Sequence, residues 1–216
     1  MIVTIDGPAG AGKSSAARAL AKRLGYRFLD TGSMYRAVVL AASQQGHDWD
    51  DDAGLVALAK SLSIEVTDDV VLLDGRDVTR EIRTFEITTL TYHAADNPGV
   101  REILVERQRQ AVEGHHVVTE GRDQATVVFP KAQCKIFLTA TDEERARRRH
   151  GDLLARGEQV TFDEVLAKQR RRDERDRNRT VGPLVKAADA IEVVTDGMSA
   201  EQVVCRLEAL VRSRLT

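Results

Sequence analysis

Five short apolar runs punctuate the chain, at residues 2–5, 26–29, 117–119, 135–138 and 191–194. Each is too short for a helix and almost continuously hydrophobic, the pattern of strands buried on both faces of a parallel sheet. Stretches with helix-start signals lie between them. Asn97 followed by Pro98 supplies a cap and a first-turn proline ahead of a helix over 100–112. Thr141 with Glu144, Thr161 with Glu164, and Ser199 with Gln202 have capping-box spacing. Strands alternating with helices predict an α/β domain built on a doubly wound parallel sheet. Residues 64–66 and 70–73, with the Asp74-Gly75 step, read instead as a small antiparallel hairpin inserted between the second and third core strands.

Composition narrows this only a little. The 216 residues suffice for one α/β domain with insertions, and 42% hydrophobic with 31% charged residues is ordinary for a globular chain. A formal net charge of −2 excludes a bulk polyanion binder, so no nucleic-acid partner is expected. Cys134 and Cys205 have no paired spacing; each lies in an apolar stretch and reads as a buried, inert thiol. No stretch reaches a membrane-spanning length and the start does not resemble a secretory leader, so a cytoplasmic location is expected.

The first strand runs into Gly7-Pro8-Ala9-Gly10-Ala11-Gly12-Lys13-Ser14, a full match to G-x-x-x-x-G-K-[ST] with a helix pattern after it. Glycines there let backbone N–H groups converge on phosphate oxygens, and the helix N-terminus adds positive potential. Lys13 is placed for the β- and γ-phosphates of ATP, and the Ser14 hydroxyl for Mg²⁺. The loop alone does not separate kinases from GTPases, motor ATPases or non-catalytic nucleotide sensors.

Candidates for an acceptor site follow the second and third strands, because ligands in such sheets bind beyond the strand carboxyl ends. Thr31, Tyr35 and Arg36 follow the second strand, although Tyr35 equally fits core packing and Arg36 a solvated position. Glu120, Arg122 and Asp123 end the third strand. Glu120 is placed to order Mg²⁺, while Arg122 and Asp123 offer a phosphate cation and an acceptor for an exocyclic amine, or form a structural pair. Between residues 145 and 179 twelve basic residues face seven acidic ones. If the helix starting at Thr161 continues, Arg172, Arg175, Asp176 and Arg179 share one face, either solvated or holding phosphates through arginine forks.

Taken together these segments resemble bacterial cytidylate kinases, nucleoside monophosphate kinases of the P-loop class. The resemblance runs from Ile2 to the last helix. It rests on residues 5–14, on Asp30-Thr31-Gly32-Ser33-Met34-Tyr35-Arg36, on Glu81-Ile82-Arg83-Thr84, on Gly121-Arg122-Asp123 with 126–130, and on Arg175-Asp176-Arg177-Asn178-Arg179. It implies a five-stranded parallel core flanked by helices, a monophosphate-binding insertion containing a small antiparallel sheet, and a short mobile lid. Over the single domain 1–216 the core takes about 1–32, 113–147 and 180–216, the insertion about 33–112 and the lid about 148–179. By motif position the ATP phosphates fall to Gly7, Pro8, Ala9, Gly10, Ala11, Gly12, Lys13, Ser14 and Ser15, and Mg²⁺ to Ser14 and Glu120. CMP or dCMP falls to Thr31, Tyr35, Arg36, Arg101, Arg122, Asp123, Arg172 and Asp176. Lys13, Arg122, Arg175 and Arg179 are the candidates for stabilising the transferring group, with Arg148 and Arg149 as further lid-side cations.

The chain departs from the family pattern at Glu120, where aspartate is usual, at Ala125, where glycine is usual, and at Tyr92, near where a small serine usually helps hold the base. The activity this implies is ATP-dependent phosphorylation of CMP or dCMP by a monomer. A kinase for UMP or another small acceptor, or a catalytically weak nucleotide-binding regulator, remains the alternative.

Overall fold

The structure, a computed structural model, describes residues 1–155 and 157–215; residue 156, within the expected lid span, lies outside them, as does residue 216. Strands β1 (Ile2–Asp6), β2 (Arg27–Asp30), β6 (Val117–Gly121), β7 (Cys134–Thr139) and β8 (Ile191–Val194) form one five-stranded parallel sheet flanked by helices, in the order β2-β6-β1-β7-β8. All five apolar runs are therefore strands, with ends shifted by one or two residues where polar residues such as Asp6, Asp30 and Glu120 continue the extended backbone. A three-stranded antiparallel sheet, β3 (Ile64–Val66), β4 (Val71–Leu73) and β5 (Arg76–Asp77), stands apart from it. The Asp74-Gly75 step turns β4 into β5, both residues taking positive φ (50° and 79°) as this tight turn requires.

The chain divides into two compact units. The first comprises residues 1–26 and 118–216. Here β1 pairs with β7 from Val3↔Cys134 to Asp6↔Phe137, and β7 with β8 from Ile136↔Ile191 to Thr139↔Val194. Val3, Ile5, Ile136, Leu138 and Val193 are fully buried in this sheet, each worth about 1.5–3 kcal/mol of burial. Helix α1 (Lys13–Leu24) turns Leu20 and Ala17 inward, and α8 (Ala200–Arg212) does the same with Val203, Leu207 and Val211. Helices α6 (Asp142–Ala155) and α7 (Phe162–Asn178) pack on each other through Ala146, Leu153 and Val165. The capping boxes expected at Thr161 and Ser199 are both closed. At Thr141 only half the motif forms: its hydroxyl accepts from Glu144 N–H, but its own N–H donates to Asp196.

The second unit, residues 27–117, contains α2 (Thr31–Gln44), α3 (Asp52–Ser61), the small sheet, a 3₁₀ turn (Glu81–Arg83), α4 (Phe85–Asp96) and α5 (Pro98–Ala111). Its core gathers on α2, where Val38, Val39 and Ala42 meet Ile82, Ala94, Val100 and Leu104, all essentially inaccessible. Asn97 caps α5 through Val100 N–H at 3.1 Å, so this helix starts at Pro98, two residues ahead of the expected start.

Burial corrects one expectation about the thiols. Cys134 is buried, and its pKa is pushed up to about 11 by burial, but Cys205 is exposed on α8 beside Arg23 and Glu201. Its position on α8, two residues from the inward-facing Val203 and Leu207, turns it outward. Among the described residues no helix is long and apolar enough to cross a membrane.

Candidate active site

The loop between β1 and α1 begins with a forced close approach. A Cβ on Gly7 would lie 1.9 Å from the Leu138 carbonyl oxygen of β7, so only glycine lets the loop leave the sheet here. Lys13, the first residue of α1, is buried and donates from Nζ to the Pro8 carbonyl at 2.8 Å. Burial, reinforced by Arg122 and only partly offset by Glu120, lowers its pKa to about 7. Ser14 donates from its hydroxyl to Glu120 Oε1 at 2.8 Å, which brings the two expected Mg²⁺ ligands together.

The third strand delivers Glu120, Arg122 and Asp123 into the same unit. Past β6 the chain makes one π-helical turn (Gln124–Val128), in which Val128 N–H reaches back to the Asp123 carbonyl. That turn is anchored by Asp6 at the end of β1, whose carboxylate accepts from Gln124 N–H at 2.9 Å and Ala125 N–H at 2.7 Å. Burial raises the Asp6 pKa to about 6 despite these two donors. Ala125 is buried without a positive φ, so its methyl carries no backbone strain.

Arg122 and Asp123 do not simply pair with one another. Arg122 Nε donates to Asp176 Oδ2 on α7 at 2.7 Å, and Arg179, just past the helix end, lies 2.6 Å from Asp176 Oδ1. Burial opposes both charges, yet the Arg122 guanidinium is held above and the Asp176 carboxyl below its ordinary value, because each has the other as a close counter-ion. Helix α7 runs on to Asn178, so the arginine run is helical as expected. Its inward face is Val165, Gln169, Asp173 and Asp176, while Arg172 and Arg175 are exposed. Arg148 is engaged by Glu144 and by the Thr195 hydroxyl and carbonyl, and Arg149 is exposed.

The remaining candidates lie in the second unit. Asp30 caps α2 by accepting from Ser33 N–H at 3.1 Å, and collects Arg36 Nη2 (3.1 Å) and Arg83 Nη2 (3.2 Å). Burial would raise the Asp30 pKa, but Arg36 above all, with the Ser33 hydroxyl and Arg83, keeps it below the usual carboxylate range. Among the described residues Arg36 Nε is a buried donor with no hydrogen-bond acceptor. Thr31 is buried in the first turn of α2; Tyr35 is core-packed, with the Arg101 guanidinium carbon 5.6 Å from its ring centroid. Arg101 is itself buried and donates to the Ala95 carbonyl at 3.1 Å. Tyr92 packs on His93 (ring centroids 4.0 Å apart), which stacks on Trp49 at 4.7 Å. Asp6, Arg145 and Asp173 had no local signature to single them out, although Asp173 shares with Asp176 the inward face of α7.

A parallel sheet whose first strand enters a G-x-x-x-x-G-K-S loop, with a carboxylate on the adjacent strand bonded to the loop serine, defines a P-loop nucleotide-binding protein. The family model described as cytidylate kinase matches residues 3–213, and the chain belongs to that family. A cytidylate kinase from Rhodopirellula baltica is 52% identical over 212 residues, covering 98% of this chain and 93% of its relative. One from Geobacter sp. strain M21 is 48% identical over 219 residues, covering 100% and 94%. Among solved structures, the shikimate kinase of Bacteroides thetaiotaomicron superposes with a TM-score of 0.53 at 14% identity, covering 98% of both chains, a likeness of fold alone.

Proposed function

We propose that this chain transfers the γ-phosphoryl group of ATP to the phosphate of CMP or dCMP, giving ADP and CDP or dCDP. The observation that carries the reading is the joint presence, in one unit, of the phosphate loop with Lys13 and of the Arg122–Asp176–Arg179 group, in a chain about half identical to cytidylate kinases over its whole length. Residues 27–117 serve as the monophosphate-binding domain in this reading, with Arg36 as a cation for the acceptor phosphate. Thr31, Tyr35, Arg101, Asp123 and Arg172 complete the acceptor contacts.

No side-chain nucleophile is needed. An oxygen of the acceptor phosphate attacks the γ-phosphorus in line, the bond to the β–γ bridging oxygen breaks, and ADP leaves with that electron pair. The loop of residues 7–15 cradles the donor phosphates through its backbone N–H groups, except at Pro8, which has none, and at Ala9, whose N–H donates to Asp173. Lys13, Arg122, Arg175 and Arg179 stabilise the charge spread over the transferring group, and correct alignment supplies much of the acceleration. Asp123 accepts from the cytosine amino group and gives the base preference. The oxygen pair of Ser14 and Glu120 fits a small hard cation, which is commonly held by one or two carboxylates plus substrate phosphates. Among the described residues there is no cluster of three or more acidic, histidine or cysteine side chains to bind a metal independently of substrate. Mg²⁺ bound at Ser14 and Glu120 would neutralise donor phosphate charge.

The enzyme works as a cytoplasmic monomer, and no nucleic acid or membrane takes part. The formal net charge of −2 supports the absence of a nucleic-acid partner. Initial rates of ADP release with CMP, dCMP, UMP and AMP test the acceptor assignment. The highest kcat/KM is expected for one of the cytidine nucleotides; a preference for UMP or AMP overturns it.

A further inference from the structure

The phosphate loop is gripped from outside by two buried charges that the reaction does not use. Ala9, in the middle of the loop, donates from N–H to Asp173 Oδ1 at 3.2 Å, and its carbonyl accepts from Arg145 Nη1 at 2.6 Å. Both faces of one peptide segment are thus held by side chains from α7 and α6, 164 and 136 residues away in the chain. Arg145 is 1% exposed and Asp173 1%. Asp173 Oδ2 also lies 2.6 Å from Arg145 Nη1, so the same nitrogen that donates to the Ala9 carbonyl faces a buried counter-ion. Arg145 is fixed further by donating from Nε to the Ala140 carbonyl at 3.1 Å and by pairing with Asp142.

The packing is as close as the hydrogen bonding. A Cβ on Gly10 would sit 3.1 Å from Gln169 Oε1 and 3.3 Å from Arg145 Cβ, at a φ of 76° that disfavours side chains in any case. Gln169 in turn donates to the Asp142 carbonyl at 3.1 Å, joining α7 to the start of α6. One turn further along α7, Asp176 is bonded to Arg122. The helix is therefore pinned at two adjacent turns, to the phosphate loop through Asp173 and to the end of β6 through Asp176.

Burying an ion pair is a poor way to gain stability, since desolvation offsets most of the attraction and apolar replacements often do as well. What a buried pair with directed hydrogen bonds does supply is a single geometry. We infer that Arg145 and Asp173 are positioning residues for phosphoryl transfer, clamping Ala9 so that the phosphate loop stays in register with α7 and its arginines. The inference rests on the phosphotransfer reading above. Neither residue touches substrate; they act through the loop backbone and through the helix that carries Arg172 and Arg175 and ends just before Arg179. A displacement near 1 Å at the reacting groups is enough to cost about a hundredfold in rate.

Steady-state kinetics with ATP and CMP varied, on Asp173→Asn and Asp173→Glu, test this alongside thermal unfolding of each variant. Asp173→Asn keeps an acceptor for Ala9 N–H but removes the charge facing Arg145. It is expected to lower kcat about ten- to a hundredfold with both KM values within about threefold. Asp173→Glu keeps the charge but carries it one methylene further. It is expected to recover most of the lost thermal stability and little of the lost kcat, a split that a merely structural role would not produce. Wild-type kcat in either variant, or a loss confined to KM, overturns the inference. If Asp173→Asn does not fold, Asp173→Glu decides alone. If the wild-type protein prefers an acceptor other than CMP, the acceptor assignment fails, and the same comparison with that acceptor still decides the clamp.

Discussion

Arg122 Nε and Asp176 Oδ2 lie 2.7 Å apart, joining the end of β6 to the last turns of α7, and Arg179 closes on the other carboxylate oxygen at 2.6 Å. Asp176→Asn keeps the shape but strands two guanidinium groups, both of them largely buried. A loss of about 3 kcal/mol or more in unfolding free energy is expected. The pH dependence has a definite sign. The Asp176 carboxyl is held below its ordinary value in the folded chain, so its contribution is complete above the unfolded carboxylate pKa and is lost as pH falls below it. Denaturant unfolding at pH 7 and pH 3 should show the gap between wild type and variant narrowing at the lower pH, which lies below the ordinary aspartate value of 3.8. A constant gap contradicts the assignment.

Lys13→Ala should lower kcat about 10²–10³-fold and leave the fold intact. The buried Lys13 has a pKa of about 7, against an ordinary 10.5, so between those values the unfolded chain binds more protons and stability rises with pH. The variant should lose that rise and should not be less stable than wild type near pH 8. Donor phosphates beside the ammonium would raise its pKa again, so ATP binding at pH 8 should take up a proton that Lys13→Ala does not. Calorimetry in buffers of different ionisation enthalpy reads this directly, and equal proton uptake in both proteins refutes it.

The Asp123 carboxylate is buried in a turn anchored by Asp6. Asp123→Asn should raise KM for CMP much more than for UMP, which lacks the amino donor. Sites built around one substrate hydrogen bond discriminate strongly when it is lost. Equal losses for the two pyrimidine nucleotides would give Asp123 a structural role only.

The Ser14–Glu120 contact at 2.8 Å makes a test of the cation site. Glu120→Gln keeps the hydrogen bond but removes the charge, and should raise the Mg²⁺ concentration needed for half-maximal rate about tenfold or more. Glu120→Asp keeps the charge and should stay within about threefold of wild type. Matching Mg²⁺ titrations for the two variants would remove the carboxylate charge from the account.

The parts legible in the sequence were those encoded locally. A period-two or continuous apolar run gives a strand, Asn97-Pro98 gives a helix start, and the glycines with Lys13 give an anion cradle, each within a dozen residues. Asp74-Gly75 announced a tight antiparallel turn, though it joins β4 to β5. Partners set by the tertiary fold stayed hidden. Nothing around Asp173 distinguishes a carboxylate held by Arg145 and Ala9 from one more charge on a solvated arginine-rich face. Asp6 likewise reads as a strand-end residue until Gln124 and Ala125 are folded onto it. The outward turn of Cys205 depends on the phase of α8, and an apolar stretch alone does not fix that phase.

The central claim is that the γ-phosphoryl group of ATP goes to a cytidine monophosphate, and following that group is the most direct test. With γ-³²P-labelled ATP, Mg²⁺ and CMP, the label should be recovered in CDP, in an amount matching the ADP formed, and Lys13→Ala should reduce the transfer about a hundredfold or more. Label recovered as inorganic phosphate, or left in ATP while CMP remains unconverted, would contradict the account.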